Sequence, residues 1–87
     1  MKIKKDFVLR EVVGEYVVIP IKDAAVNFNG MISLNESAKI LWESLNEEKS
    51  EEDLVKILCD EYEISKEEAA NDVKEFIKIL KENNFLE

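Results

Sequence analysis

The sequence has no histidine, a single cysteine (Cys59), one proline and two glycines among its 87 residues. Without histidine and with one thiol, the usual zinc ligand sets cannot be assembled and no disulfide can form within the chain. A Ser-His or Cys-His nucleophile pair is excluded for the same reason. Gly14 and Gly30 are too far apart to make a phosphate-cradling loop, and each reads as a hairpin glycine. Cations are scarce as well: 12 Lys and Arg stand against 20 Asp and Glu, a formal net charge of -8. Binding to a phosphate backbone or to anionic lipid draws its electrostatic term from Lys and Arg, so neither nucleic acid nor membrane is an expected partner. No apolar run approaches the roughly 20 residues of a membrane span. The basic start Met1-Lys2-Ile3-Lys4-Lys5 lacks the apolar stretch that follows in a signal peptide. The chain is expected to be soluble and cytoplasmic.

What is present is a hydrophobic content of 46%, enough for a folded globule despite the charge. The length fits one domain, residues 1–87, with a thin core. The organising stretch is Ile32-Ser33-Leu34-Asn35-Glu36-Ser37-Ala38-Lys39-Ile40-Leu41-Trp42. Its first three residues alternate as a half-buried strand does, and Asn35 stands at the N-cap of a helix, where its side-chain oxygen can accept from a first-turn N–H. Ala38, Leu41, Trp42 and Leu45 then recur at i, i+3, i+4 and i+7, a buried helical stripe.

Upstream, Phe7-Val8-Leu9-Arg10-Glu11-Val12-Val13 and Tyr16-Val17-Val18-Ile19 read as strands joined by a reversal at Gly14-Glu15, with Pro20 ending the second. Lys22-Asp23-Ala24-Ala25 is a short connection. Val26-Asn27-Phe28 and Met31-Ile32-Ser33-Leu34 flank Asn29-Gly30, a strong two-residue hairpin signal because both residues tolerate positive φ. Downstream, Ser50-Glu51-Glu52-Asp53 and Ser65-Lys66-Glu67-Glu68 have the form of capping boxes. The second helix buries Leu54, Val55, Leu58, Cys59 and Tyr62; the third buries Ala69, Val73, Phe76, Ile77 and Leu80. Asn83-Asn84 offers a left-handed stop, beyond which Phe85 and Leu86 are expected to fold back. The fold class is therefore α+β: an N-terminal antiparallel sheet of three to four strands, then three helices starting near Glu36, Glu51 and Lys66.

No catalytic constellation emerges. The carboxylates fall on exposed helix faces, whereas an acid–base pair needs two in one desolvated cleft, and their spacing matches no calcium loop. Cys59 sits on a helical stripe, as a structural thiol does. The chain is read as no enzyme, with no metal and no cofactor. A sheet with three helices is also the part list of a winged helix-turn-helix. However, Lys66, Lys74, Lys78 and Lys81 of the third helix are matched by Glu67, Glu68, Asp72, Glu75 and Glu82, so it lacks the positive face of a recognition helix.

Leu34-Asn35-Glu36-Ser37-Ala38 followed by Ile40-Leu41-Trp42-Glu43 resembles the "LNETA…IWE" signature of the PqqD family, the pyrroloquinoline quinone biosynthesis protein D group. The similarity continues through Ser50-Glu51-Glu52-Asp53-Leu54, Glu61-Tyr62-Glu63-Ile64, Ala69, Asp72-Val73 and the terminal Asn84-Phe85-Leu86-Glu87, and reaches back to Phe28-Asn29-Gly30-Met31. Ser37 stands where Thr is more usual, which keeps a hydroxyl in the first turn. The resemblance implies a winged-helix-like peptide-binding domain, or RiPP recognition element. Such a domain holds the leader of a ribosomally made precursor peptide and presents it to a modifying enzyme, often a radical S-adenosylmethionine enzyme. By the same resemblance the leader pairs with the edge Met31, Ile32, Ser33 and Leu34, opposite the third helix.

One border of that helix carries Ala70, Lys74, Ile77 and Lys81; the other carries Asp72, Glu75 and Ile79. The first is preferred as the groove wall, because Ile77 supplies apolar contact and Lys74 and Lys81 can meet leader carboxylates. Ile77 and Ile79 can equally serve only to widen the core. A subunit of a lasso-peptide maturation system, a generic winged-helix protein–protein adaptor and an acidic DNA-binding regulator are the alternatives. A monomer is expected in dilute solution, with a strand-paired or exchanged dimer at crystallisation concentrations, since an open sheet edge can receive a second copy.

Overall fold

The computed structural model describes residues 1–22 and 32–87. Met31, the Asn29-Gly30 hairpin signal and the strand expected around Val26 lie outside the described residues. Among these, three strands precede three helices: β1 (Phe7–Val12), β2 (Glu15–Pro20), β3 (Ile32–Leu34), α1 (Glu36–Ser44), α2 (Glu51–Glu61) and α3 (Lys66–Glu82). The sheet is antiparallel in the order β1-β2-β3. The α+β class and the three helix starts agree with the sequence reading.

Each helix begins where a side chain satisfies a first-turn N–H. Asn35 accepts from the Ala38 N–H at 2.9 Å and from the Ser37 hydroxyl at 3.0 Å. Ser50 and Asp53 exchange both bonds of a capping box, at 3.1 and 2.9 Å. Those bonds, the Ser50 N–H foremost, hold the Asp53 carboxyl below the usual carboxylate range. At α3 the box is half made: the Glu68 N–H donates to Ser65 Oγ at 3.1 Å without the return bond. The end of α3 is a complete Schellman motif. Asn84 takes φ 57°, its N–H donates to the Lys81 carbonyl, and the Phe85 N–H donates to the Leu80 carbonyl at 2.9 Å. That left-handed step turns Phe85 and Leu86 back under the sheet.

Cross-strand partners share a face, so Leu9, Val18 and Ile32 lie together, as do Tyr16 and Leu34. This face receives the helices. The core beneath it contains Leu41, Trp42, Leu45, Leu54, Leu58, Ala69, Val73, Phe76, Ile77 and Leu80. The N-terminal segment is built in: Ile3 bridges Leu86, its N–H donates to the Leu45 carbonyl, and the Lys4 N–H donates to Phe85. Phe85, fully buried, packs edge-on against both Phe7 (4.6 Å) and Trp42 (5.4 Å). Of the expected α2 stripe, Leu54 and Leu58 are buried, while Val55, Cys59 and Tyr62 are half-buried at its border. Partial burial raises the Tyr62 phenol above its ordinary value.

The β1–β2 reversal differs from the sequence expectation by one residue. The turn is Val13-Gly14, with φ of 50° and 79°, and Glu15 already pairs with Val12. A two-residue hairpin turn that matches strand twist takes positive φ at both central positions, so the residue before Gly14 must enter the left-handed region too. Glycine does so freely; a β-branched valine does not. Val13 is also 97% exposed, so no packing compensates it. Val13→Asn is therefore expected to stabilise the domain by about 1 kcal/mol, seen as a melting-temperature rise of about 4–8 °C.

Candidate peptide-binding cleft

Strand β3 pairs with β2 on one side, and no described strand pairs with its other side. The exposed backbone polar groups of such an edge are a template for an extended chain. Val12 and Glu15 close the two-residue turn as a hydrogen-bonded pair, and bonded and non-bonded pairs alternate along an antiparallel ladder. That alternation directs the N–H and C=O of Ser33 away from β2. Ile32 is half-buried, Ser33 exposed and Leu34 buried.

The chain passes directly from β3 into Asn35 and the first turn of α1. There a cleft of about 130 Å³ opens between Asn35, Ser37, Ala38 and Leu41 on one wall and Asp72, Glu75, Phe76 and Ile79 of α3 on the other. Leu41 and Phe76 are buried core residues; Ala38 and Ile79 are half-buried. An engineered apolar cavity of about 150 Å³ admits benzene, so this cleft suits one side chain of that size. Asp72 and Glu75, both exposed, are the charged residues that line it, and neither forms an ion pair with a described residue.

The other border of α3 faces elsewhere. Lys74, Ile77 and Lys81 line a shallow depression of about 310 Å³ together with Glu51, Lys78 and Glu82, at the start of α2. Ile77 is 7% exposed and belongs to the core, and Ala70 is half-buried. The structure therefore brings Lys74, Ile77 and Lys81 together with one another, while the α3 residues that share a cleft with the chain leaving β3 are Asp72, Glu75, Phe76 and Ile79. A helical wheel shows both borders but not which element each one faces. A larger hollow of about 740 Å³ lies between α2 and Lys66, but Glu52, Asp53, Lys56 and Lys66 are four of its six lining residues and it borders no strand edge. Tyr16 on β2 is covered by Lys39, whose ammonium lies 5.1 Å from the ring centre and 3.5 Å from Glu43. The Glu43 carboxylate, then Tyr16, raises the Lys39 pKa.

Residues 15–86 match the sequence profile of the family described as coenzyme PQQ synthesis protein D, PqqD. The chain belongs to the PqqD family. Among curated proteins none matches it significantly. Two solved structures share the fold of this PqqD-family chain. One is described as TbiB1 in complex with the TbiA(beta) leader peptide: TM-score 0.76 and 24% identity, covering 100% of this chain and 95% of that one. The other is lasso peptide synthetase B1 complexed with the leader peptide, at TM-score 0.71 and 21% identity, covering 94% and 91%.

Proposed function

We propose that this PqqD-family chain is a non-catalytic leader-binding domain, a RiPP recognition element. It takes up an extended segment of a precursor peptide by strand addition to β3 and presents it to a modifying enzyme. The observation that carries this reading is the side of β3 with which no described strand pairs, followed at once by the cleft that α1 and α3 line. Backbone pairing along the edge supplies affinity, and alternate side chains entering the cleft supply selectivity. Two relatives in fold were solved with leader peptides, which supports the same use here. The bound strand runs from residues 31–34 toward the Asp72, Glu75, Phe76 and Ile79 flank of α3. The Lys74 and Lys81 flank lines a separate depression with Glu51, which favours the Asp72 flank as the groove wall.

A few backbone bonds at about 0.5–1.5 kcal/mol each and one or two buried side chains at about 1.5–3 kcal/mol each favour binding. Ordering the leader opposes it by about 2–5 kcal/mol. A dissociation constant on the order of 0.1–10 μM follows. Titrating isotope-labelled protein with the precursor peptide encoded beside its gene should shift the amides of Ile32, Ser33, Leu34 and Asp72 through Ile79. Shifts confined to α2 would refute the site.

The partner that the family resemblance implies is a radical S-adenosylmethionine enzyme. A lasso-type maturation partner is the second reading, favoured by the lasso synthetase component among the fold relatives. The binding mode is the same in both, and a radical-enzyme gene beside the precursor gene distinguishes them. The domain acts as a monomer in dilute solution, with the β3 edge open to the leader.

A further inference from the structure

Resting on the leader-binding reading, we infer that the cleft selects a cationic peptide, with Asp72 and Glu75 as the specificity-determining pair. The two long borders of α3 have opposite charge. Asp72 and Glu75 line the cleft beside β3, whereas Lys74, Lys78 and Lys81 line the depression facing Glu51. The cleft therefore has room for one side chain between apolar residues (Ala38, Leu41, Phe76, Ile79), with two carboxylates in its lining and no lysine or arginine.

The side-chain oxygens of Asn35 and Ser37 in the cleft are already engaged. Asn35 Oδ1 accepts from both the Ala38 N–H and the Ser37 hydroxyl. The positive end of the α1 dipole opens nearby, but it is equivalent to about half a charge and is offset by Glu36 in the first turn. Two full carboxylate charges outweigh it. Neither has an ion-pair partner among the described residues, so a peptide ammonium or guanidinium meets no competing cation. The fitting occupant is an extended segment with an apolar side chain in the pocket and a Lys or Arg beside it. A net charge of -8 steers such a segment toward the domain.

The test is an mRNA-display selection of random peptides on the full chain, on D72K/E75K and on K74E/K81E. All four positions are exposed, so the fold is retained, as thermal melting will check. The native chain and K74E/K81E should both enrich Lys or Arg next to an apolar residue, and D72K/E75K should enrich Asp or Glu instead. For one peptide selected on the native chain, D72N/E75Q should weaken binding about five- to tenfold at low ionic strength, as two rim pairs do. The difference should vanish near 1 M salt, where screening acts within about 3 Å. Enriched peptides that shift the Ile32, Ser33 and Leu34 amides without a cation preference, or with an acidic preference that follows Lys74 and Lys81, would overturn the charge assignment and leave peptide binding intact. If no enriched peptide shifts those amides, the leader-binding reading itself fails, and the charge assignment with it.

Discussion

Trp42→Ala is expected to lower the stability of the domain by about 3–5 kcal/mol, the range for removing a large buried aromatic side chain. Trp42 is 4% exposed and lies at the junction of three parts of the chain. It comes from α1, stacks edge-on against Phe85 of the C-terminal turn, and Phe85 in turn stacks against Phe7 at the start of β1. Such aromatic pairs contribute about 0.5–1.5 kcal/mol beyond their area burial. The loss therefore falls on contacts between elements distant in sequence. A domain of this length has a total stability of roughly 4–13 kcal/mol, so the variant sits near the unfolding threshold. The measurement is urea unfolding followed by far-ultraviolet circular dichroism. An unchanged midpoint would mean that the indole is not part of the core. Phe85→Leu, which keeps most of the apolar bulk, removes the stacking and leaves a smaller cavity, should cost less than Trp42→Ala.

Local features of the fold were legible because their causes are local. Asn35, Ser50 and Ser65 mark three helix starts, since each side chain accepts from an N–H within three residues of itself. The stripe of α3 follows from its helical spacing: Ala69, Val73, Phe76, Ile77 and Leu80 are its buried set. Asn84 as the left-handed stop follows from the low cost of that conformation for asparagine. Val13 was misplaced in β1 because its side chain favours a strand, and only the pairing of Val12 with Glu15 forces it into the turn.

The candidate site was half legible. The strand Ile32–Leu34 and the cap at Asn35 follow from alternation and capping chemistry, whereas the use of that strand as the leader's edge is what the family resemblance implies. Which border of α3 lies beside that edge does not, because both borders have the same periodicity. Long-range contacts bear on it: Leu41 and Phe76 share a cleft although they are far apart in sequence, and Ile77 is drawn into the core. The same contacts remove Ile77 as a clean probe of binding. A charge placed there would be buried in the core and would unfold the domain before it reported on any groove.

Ala38→Phe is the probe this geometry recommends, and it is expected to weaken leader binding about 10- to 100-fold. Ala38 lines the cleft from α1, is half-buried, and stands across from Phe76 and Ile79. A phenyl group in its place occupies a space of about 130 Å³ that would otherwise receive a leader side chain. Excluding that side chain forfeits about 1.5–3 kcal/mol of burial, and each 1.4 kcal/mol is a factor of ten in affinity. The added ring packs on Leu41 and Phe76, so the melting temperature should hold or rise slightly, which separates blocked binding from lost folding. Backbone pairing at Ser33 is untouched, so binding should be weakened and not abolished. Glu47→Ala, in the exposed segment after α1 where Glu47 pairs with Lys49 at 3.6 Å, should leave affinity unchanged. Calorimetric titration of the three proteins with the precursor leader checks both arms. Equal affinity for Ala38→Phe and the native chain would show that the leader does not enter the cleft between α1 and α3.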